Sequence, residues 1–283
     1  MALVATALTF VSCGSKKEKE YKPYFPQTGW EEYELKGKVK ELHIVRSWSY
    51  VGDIENAYVR DSSVIYFNEN GQTEKRIING GQTSYFYTYS GDTCFIERHK
   101  NEWLQYGIED EGDRIDGYQV IVKDKRGNWT SFLHTDLVGE ATRNEFSYND
   151  QGFLTEVINY RYGKLLERHE FSEHNENGFY HKQLTYRDNG DLDYTTIWEG
   201  EDINHITRRV FMDKDGKRKE ESSYEYNEYG FLTKMIGKDL IEGGEEVTEF
   251  TYKYDPQGNF VEKIQTTSKS DYITKEERTI IYY

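Results

Sequence analysis

The chain is short of proline, cysteine, basic charge and long apolar runs, and each shortage closes off a class of protein. Three prolines in 283 residues leave strands largely uninterrupted, because proline is confined to the edges and bulges of a sheet. Two cysteines, Cys13 and Cys94, cannot make the disulfide framework that staples small secreted domains. No run of 18 apolar residues occurs, so no helix of this sequence is long and apolar enough to span a membrane. Lys and Arg number 36 against 51 Asp and Glu, a formal charge of −15, which repels a phosphate backbone and argues against nucleic acid as a partner. Phosphate loops, dinucleotide fingerprints and Gly-x-Ser-x-Gly elbows are also missing.

Apolar residues reach only 36%, and 25 Tyr, 14 Phe and 5 Trp offset the deficit. These rings cover much apolar area while leaving hydroxyl and indole N–H groups free to meet polar partners. Tyr, Thr, Ile, Val and Phe between Gly-, Asn- and Asp-rich turns point to an all-β class.

One hairpin is written many times. Tyr224-Glu-Tyr226-Asn227-Glu-Tyr-Gly230-Phe231-Leu232 leads an aromatic strand into an Asn-x-x-Gly turn and out again. Gly supplies the positive φ near the end of such a turn, and Asn or Asp at its start can bond back to the turn amides. The unit recurs around Asn68–Gly71, Asn149–Gly152, Asn175–Gly178, Asp213–Gly216 and Asp255–Gly258, with Asp124–Gly127 a less aromatic version. The later turn glycines, 127, 152, 178, 190, 216, 230 and 258, fall 25, 26, 12, 26, 14 and 28 residues apart, one or two hairpin-sized steps each. Since a lone hairpin is marginal in water, the period predicts an array in which each hairpin buries its aromatic face on its neighbours.

The motif Tyr252-x-Tyr254-Asp255-x-x-Gly258-Asn259 resembles the YD repeat of RHS-type proteins, and Phe146–Leu154 and Tyr224–Leu232 are similar with Asn in place of Asp. In that family long arrays spiral into β-sheet shells around a toxic cargo. This chain has about nine turns, too few for such a shell on the period argument, and no evident cargo or self-cleavage segment. The expected fold is therefore an elongated antiparallel sheet or partly coiled array of hairpins over residues 35–283. A looser second likeness, carried by Asn79-Gly80-Gly81-Gln-Thr-Ser-Tyr85, is to short aromatic-Gly repeat proteins of the antitoxin or immunity type.

At the N-terminus, Ala2–Val11 is a short apolar run followed by Ser12-Cys13-Gly14-Ser15 and a charged stretch. It is too short to span and has the length of a signal h-region. Phe10-Val11-Ser12-Cys13 resembles the lipobox of bacterial lipoproteins. The resemblance implies a signal peptide over residues 1–12, lipidation of Cys13, and a polar tether over residues 13–34, with the mature chain attached to the envelope, at the outer membrane. Cys94 then remains alone in a strand-like Thr93-Cys94-Phe95-Ile96, where a buried small hydrophobe is the expectation.

No chemistry-bearing constellation emerges. His169, His174 and His181 are spaced by five and seven residues, a separation that does not by itself converge on a metal. The acidic stretches Glu109–Gly117 and Asp188–Asp193 lack the spacing of a calcium loop and read as solvated turns. No cofactor, metal or catalysis is expected. Among the tryptophans, Trp129 directly follows a turn and Trp198 precedes Glu199-Gly200-Glu201-Asp202; both are candidate stacking platforms near a loop edge for a sugar ring. The resulting expectation is a non-catalytic binding or scaffold protein that recognises a glycan or an envelope protein through an aromatic sheet face. The alternative is an immunity-type protein whose acidic surface covers a basic toxin.

Overall fold

The computed structural model describes residues 23–53, 56–101, 113–136 and 139–283, so the signal-like run and Cys13 lie outside the described residues. A short helix, α1 (Gly29–Glu32), precedes the first strand. The described residues then form eighteen strands. The first nine are β1 (Val39–Tyr50), β2 (Tyr58–Phe67), β3 (Thr73–Ile78), β4 (Thr83–Ser90), β5 (Thr93–Asn101), β6 (Asp113–Lys123), β7 (Trp129–Asp136), β8 (Gly139–Tyr148) and β9 (Leu154–Arg161). The second nine are β10 (Lys164–His174), β11 (Tyr180–Arg187), β12 (Leu192–Gly200), β13 (Ile206–Asp213), β14 (Arg218–Tyr226), β15 (Leu232–Asp239), β16 (Gly244–Tyr254), β17 (Phe260–Thr267) and β18 (Tyr272–Tyr282).

The hairpins form for the reason read from the sequence. Asn227 Oδ1 accepts the amides of Tyr229 and Phe231, both at 3.0 Å, and Gly230 closes the turn at φ +88. Asn68, Asp124, Asn149, Asn175, Asp213 and Asp255 make the same pair of side-chain bonds. The aromatic residue ahead of the turn has a second task. Tyr148 Oη donates to the Trp129 carbonyl at 2.7 Å and Tyr226 Oη to the Ile206 carbonyl at 2.9 Å. Those carbonyls belong to the first residues of β7 and β13. The His174 ring lies 2.7 Å from the Leu154 carbonyl at the start of β9, so imidazole substitutes for phenol in the same stitch between neighbouring hairpins.

Every strand pairs antiparallel with the next. The array is nevertheless neither elongated nor open. β18 turns back to pair with β1 from Val39↔Tyr282 to Tyr50↔Tyr272, which closes an up-and-down barrel. The physical reason is strand twist, which coils a long meander until its two edges meet, and edge pairing satisfies the amides and carbonyls that an open sheet leaves bare. Nothing local in residues 39–50 or 272–282 announces that pairing, so the sequence reading stopped at the array.

A second correction concerns the expected tether. Residues 23–37 are a cork set into one mouth of the barrel, the mouth formed by the Asn68, Asp124, Asn149, Asn175, Asn227 and Asp255 turns. Tyr24 Oη reaches Tyr180 Oη on β11 at 3.1 Å, Phe25 stacks on Trp129 of β7 with centroids 4.6 Å apart, and Trp30 Nε1 donates to the Val39 carbonyl at 2.7 Å. One short segment touches β1, β7 and β11 in this way only from inside the wall. Trp30, Tyr33 and Leu35 pack on the buried Val39, Leu42, Ile44, Ile65 and Phe67, burial that a polar tether could not supply. Gly71 makes room for the cork: a Cβ there, at φ +79, would lie 2.5 Å from the Trp30 ring.

Asn259, the last residue of the YD-like motif, fastens the cork. It is 1% exposed, accepts the Lys36 amide at 2.6 Å, and donates to the Lys36 carbonyl at 2.9 Å and to Tyr282 Oη at 2.7 Å. Replacing Asn259 by Ala strands these buried partners and is expected to cost about 3 kcal/mol, a fall in the thermal midpoint of roughly 5–10 °C for a chain of this size. Calorimetry of the variant beside wild type measures it, and an unchanged midpoint would show that the cork is not held through Asn259.

Candidate functional site

The cork defines the inside of the barrel, and strand alternation, reset at the bulges that follow the turns, then assigns positions to one face or the other. The outer face carries ladders of ion pairs across adjacent strands. Lys275 bridges Glu262 at 3.2 Å and Glu277 at 2.7 Å, and Glu262 also meets Lys253 at 2.8 Å. Arg208 joins Glu199 at 2.6 Å to Glu221 at 3.0 Å, and Arg168 joins Glu156 at 3.2 Å to Glu170 at 2.7 Å. Arg168 and Lys275 lie well inside their strands, and a cation at the midplane of a lipid bilayer costs roughly 2–4 kcal/mol.

The inner face is where rings and buried charges gather. Beneath the cork lies a cavity of about 310 Å³ lined by Glu34, Asn204, Tyr226, Phe231, Leu232, Tyr252, Phe260, Lys263, Glu276 and Arg278, with Gly230 at its edge. The hydroxyls of Tyr226 and Tyr252 are taken by the carbonyls of Ile206 and Leu232, so these residues offer the cavity their rings. Glu276 is the hub of the charges. It receives Arg46 Nε and Arg278 Nε, each at 2.8 Å. Arg46 continues to Asp61 at 3.0 Å, while Arg278 also donates to the Tyr33 carbonyl of the cork at 3.1 Å and lies 3.6 Å above the Phe260 ring.

Burial by itself would raise the Glu276 carboxyl; the neighbouring Arg278 and Arg46 guanidiniums overcome it and hold the group below its ordinary value. Burial pushes Arg278 down despite Glu276, and pushes the Lys263 ammonium down as well. Lys263 sits directly across from Glu276 in the strand register, yet Glu276 is turned to the arginines. Lys263 instead lies 4.9 Å from the Phe250 ring and makes no ion pair among the described residues.

Neither tryptophan singled out from the sequence stands at an open loop edge. Trp129 is half-buried under the cork, stacked on Phe25 with Phe146 edge-on at 6.3 Å. Trp198 packs on the Leu154, Val157 and Tyr180 cluster, with the Arg209 guanidinium 6.0 Å from its ring. Both belong to the inner wall, where the cork and neighbouring rings already occupy the faces a sugar would need. Cys94 lies inside β5 and is 6% exposed, as anticipated. His169 approaches Thr185 Oγ1 at 2.9 Å and Glu167 at 3.2 Å, a carboxylate–imidazole–hydroxyl row, but Thr185 is 1% exposed and offers no nucleophile to a substrate. Of the acidic stretch Glu109–Gly117, residues 109–112 lie outside the described residues. The residues the sequence reading missed are Glu34, Arg46, Lys263, Glu276 and Arg278. A signal existed for two of them: Tyr272, Thr274, Glu276, Arg278 and Ile280 alternate on one strand face, so a charge pair shares a side with apolar residues.

No family model and no curated protein matches the chain. Among solved structures, a porin-like protein from Bacteroides uniformis is similar at 13% identity and a TM-score of 0.46, over 86% of this chain and 97% of that one. A porin-like protein from Bacteroides vulgatus is similar at 8% identity and 0.35, over 87% and 98%. TcdB2-TccC3 without its hypervariable C-terminal region is similar at 11% identity and 0.28, over 82% of this chain and 14% of that one. At these TM-scores the likeness carries no argument about this chain.

The Glu276 hub makes a pH prediction. Because folding lowers its pKa, its stabilisation is complete above the ordinary glutamate value of about 4.3 and is lost as pH falls through the lower folded value. Glu276→Gln is expected to lower stability at pH 7 and to narrow its gap to wild type by pH 3, read from urea unfolding at both pH values. A gap that stays constant with pH would remove Glu276 from the acid response.

Proposed function

We propose that the chain is a non-catalytic binding barrel of the bacterial envelope, held by a lipid on Cys13, and that it takes a glycan or a segment of an envelope protein on its inner wall. The observation that carries this reading is the polarity of the wall. Ion-pair ladders lie outside and rings with a buried charge hub lie inside, the reverse of a lipid-embedded barrel with an apolar outer band. A water-facing barrel with an aromatic cavity is suited to holding a ligand, and a pocket that mixes rings with a few fixed polar groups is the usual form of a binding site.

The cork gives the reading a geometry. Cys13 precedes Pro23 by ten residues, a reach of at most about 35 Å, so a lipid on Cys13 keeps the corked mouth near the membrane and presents the opposite mouth away from it. Glu276 and Arg278, the paired charges of the cavity, are consumed in holding the wall together, which supports binding over catalysis.

Two linked measurements test this. The Cys13→Ala protein is expected to leave the membrane fraction and to run as a monodisperse species without detergent. If it aggregates until detergent is added, the outer wall requires lipid and the water-facing barrel is wrong; if it stays membrane-bound, the lipid anchor is wrong.

A further inference from the structure

We infer that the cavity between the cork and β17 is a subsite for an uncharged sugar ring, held between the Glu34 carboxylate and the Lys263 ammonium. This rests on the binding reading above and names the ligand class and two of the residues that contact it.

Glu34, Lys263, Glu276 and Arg278 line the cavity and sum to zero, and the Arg46–Asp61 pair behind them is neutral as well. A ligand with net charge would upset that balance beside the half-buried Lys263, Glu276 and Arg278, although Glu34 itself is exposed. Glu276 and Arg278 are already spent on each other, on Arg46 and on the Tyr33 carbonyl. Glu34 and Lys263 are not: among the described residues neither side chain has a hydrogen-bond or ion-pair partner. The cavity therefore offers a carboxylate acceptor and an ammonium donor without such partners among the described residues, beside the neutral Asn204 amide, at no net charge.

Neighbouring hydroxyls of a sugar meet that requirement, since a hydroxyl both donates to a carboxylate and accepts from an ammonium. The phenol oxygens of Tyr226 and Tyr252 point to backbone carbonyls. Tyr252 is itself stacked on Phe231 at 5.4 Å and Tyr226 lies 5.5 Å from the His205 ring, so what both present to the cavity is the remaining ring carbon, which suits the C–H groups of a sugar. The volume of about 310 Å³ lies at the small end of ligand pockets, roughly 300–1,000 Å³, and suits one or two rings.

The backbone accounts for how Glu34 reaches the cavity. Glu34 sits at φ +55, a left-handed conformation that glycine adopts freely and a side-chain-bearing residue adopts at a cost. Its amide is held by the Glu31 carbonyl at 3.2 Å, and the following Leu35 amide by the Trp30 carbonyl at 2.8 Å. These two bonds are the left-handed cap that ends α1, and the cap turns Glu34 toward the cavity it lines.

The test uses the full-length protein on an array of neutral hexose and N-acetylhexosamine oligosaccharides beside uronic-acid oligosaccharides, followed by calorimetric titration with the best neutral probe. Neutral sugars are expected to bind, and Glu34→Gln and Lys263→Met are each expected to weaken binding at least tenfold. Glu34→Gly is expected to weaken it equally while raising the thermal midpoint, which separates loss of a ligand contact from loss of fold. Neutral binding that survives all three variants would place the sugar elsewhere and overturn the subsite while leaving the binding barrel standing. Preference for uronic acids would overturn the uncharged ligand. Binding of no sugar would overturn the inference outright, and the wider reading would then stand or fall on whether the protein crosslinks to an envelope protein in intact cells.

Discussion

Pairing of β1 with β18 is the contact on which the rest of the molecule depends. Until residues 39–50 meet residues 272–282, the chain is a meander with two bare edges and two solvent-facing sides. Once they meet, the sheet has an inside, and half of all strand positions are withdrawn from bulk water together. The Arg46–Glu276–Arg278 hub spans this seam, joining β1 to β18 by side chains where the backbone ladder joins them by amides. Such a hub is weak evidence of net stability, because burying its charges costs nearly what their attraction returns. Breaking it is different in kind, since removal of one partner leaves the others buried and unpaired.

Closure also sets the division of labour between the two faces. Outside, long charged side chains pair across strands, and each exposed pair contributes only about 0–1 kcal/mol. Inside, aromatic rings supply apolar area that the small aliphatic content of the chain cannot. Their hydroxyls are absorbed by the open carbonyls of neighbouring strands, as in Tyr148 to Trp129 and Tyr252 to Leu232. Tyrosine suits such a wall because one residue packs and stitches at once.

The cork depends on the turns as much as the turns depend on the strands. Gly71 leaves space for Trp30, and Asn259 holds both the amide and the carbonyl of Lys36. The turn motif that reverses the chain thus also receives its N-terminal segment. Residues 23–37 close one mouth and bring Glu34 over the inner wall, so the cavity has a lid and a floor drawn from opposite ends of the sequence.

The sequence by itself determined the local structure. The Asn- and Asp-x-x-Gly turns, the aromatic strands between them, the all-β class and the buried Cys94 were all legible, because each follows from bonds and torsions within a few residues. Tertiary structure alone decided what those hairpins enclose. Closure depends on twist accumulated over eighteen strands; Tyr24, Phe25 and Trp30 read as linker residues until a barrel exists to receive them; and Trp129 and Trp198 read as open platforms until the wall has an inner side. The cavity groups were hidden for the same reason. Glu34, Lys263 and Glu276 lie more than two hundred residues apart at the extremes, and only the barrel places them around one space, because a local pattern carries no information about which distant strand will lie beside it.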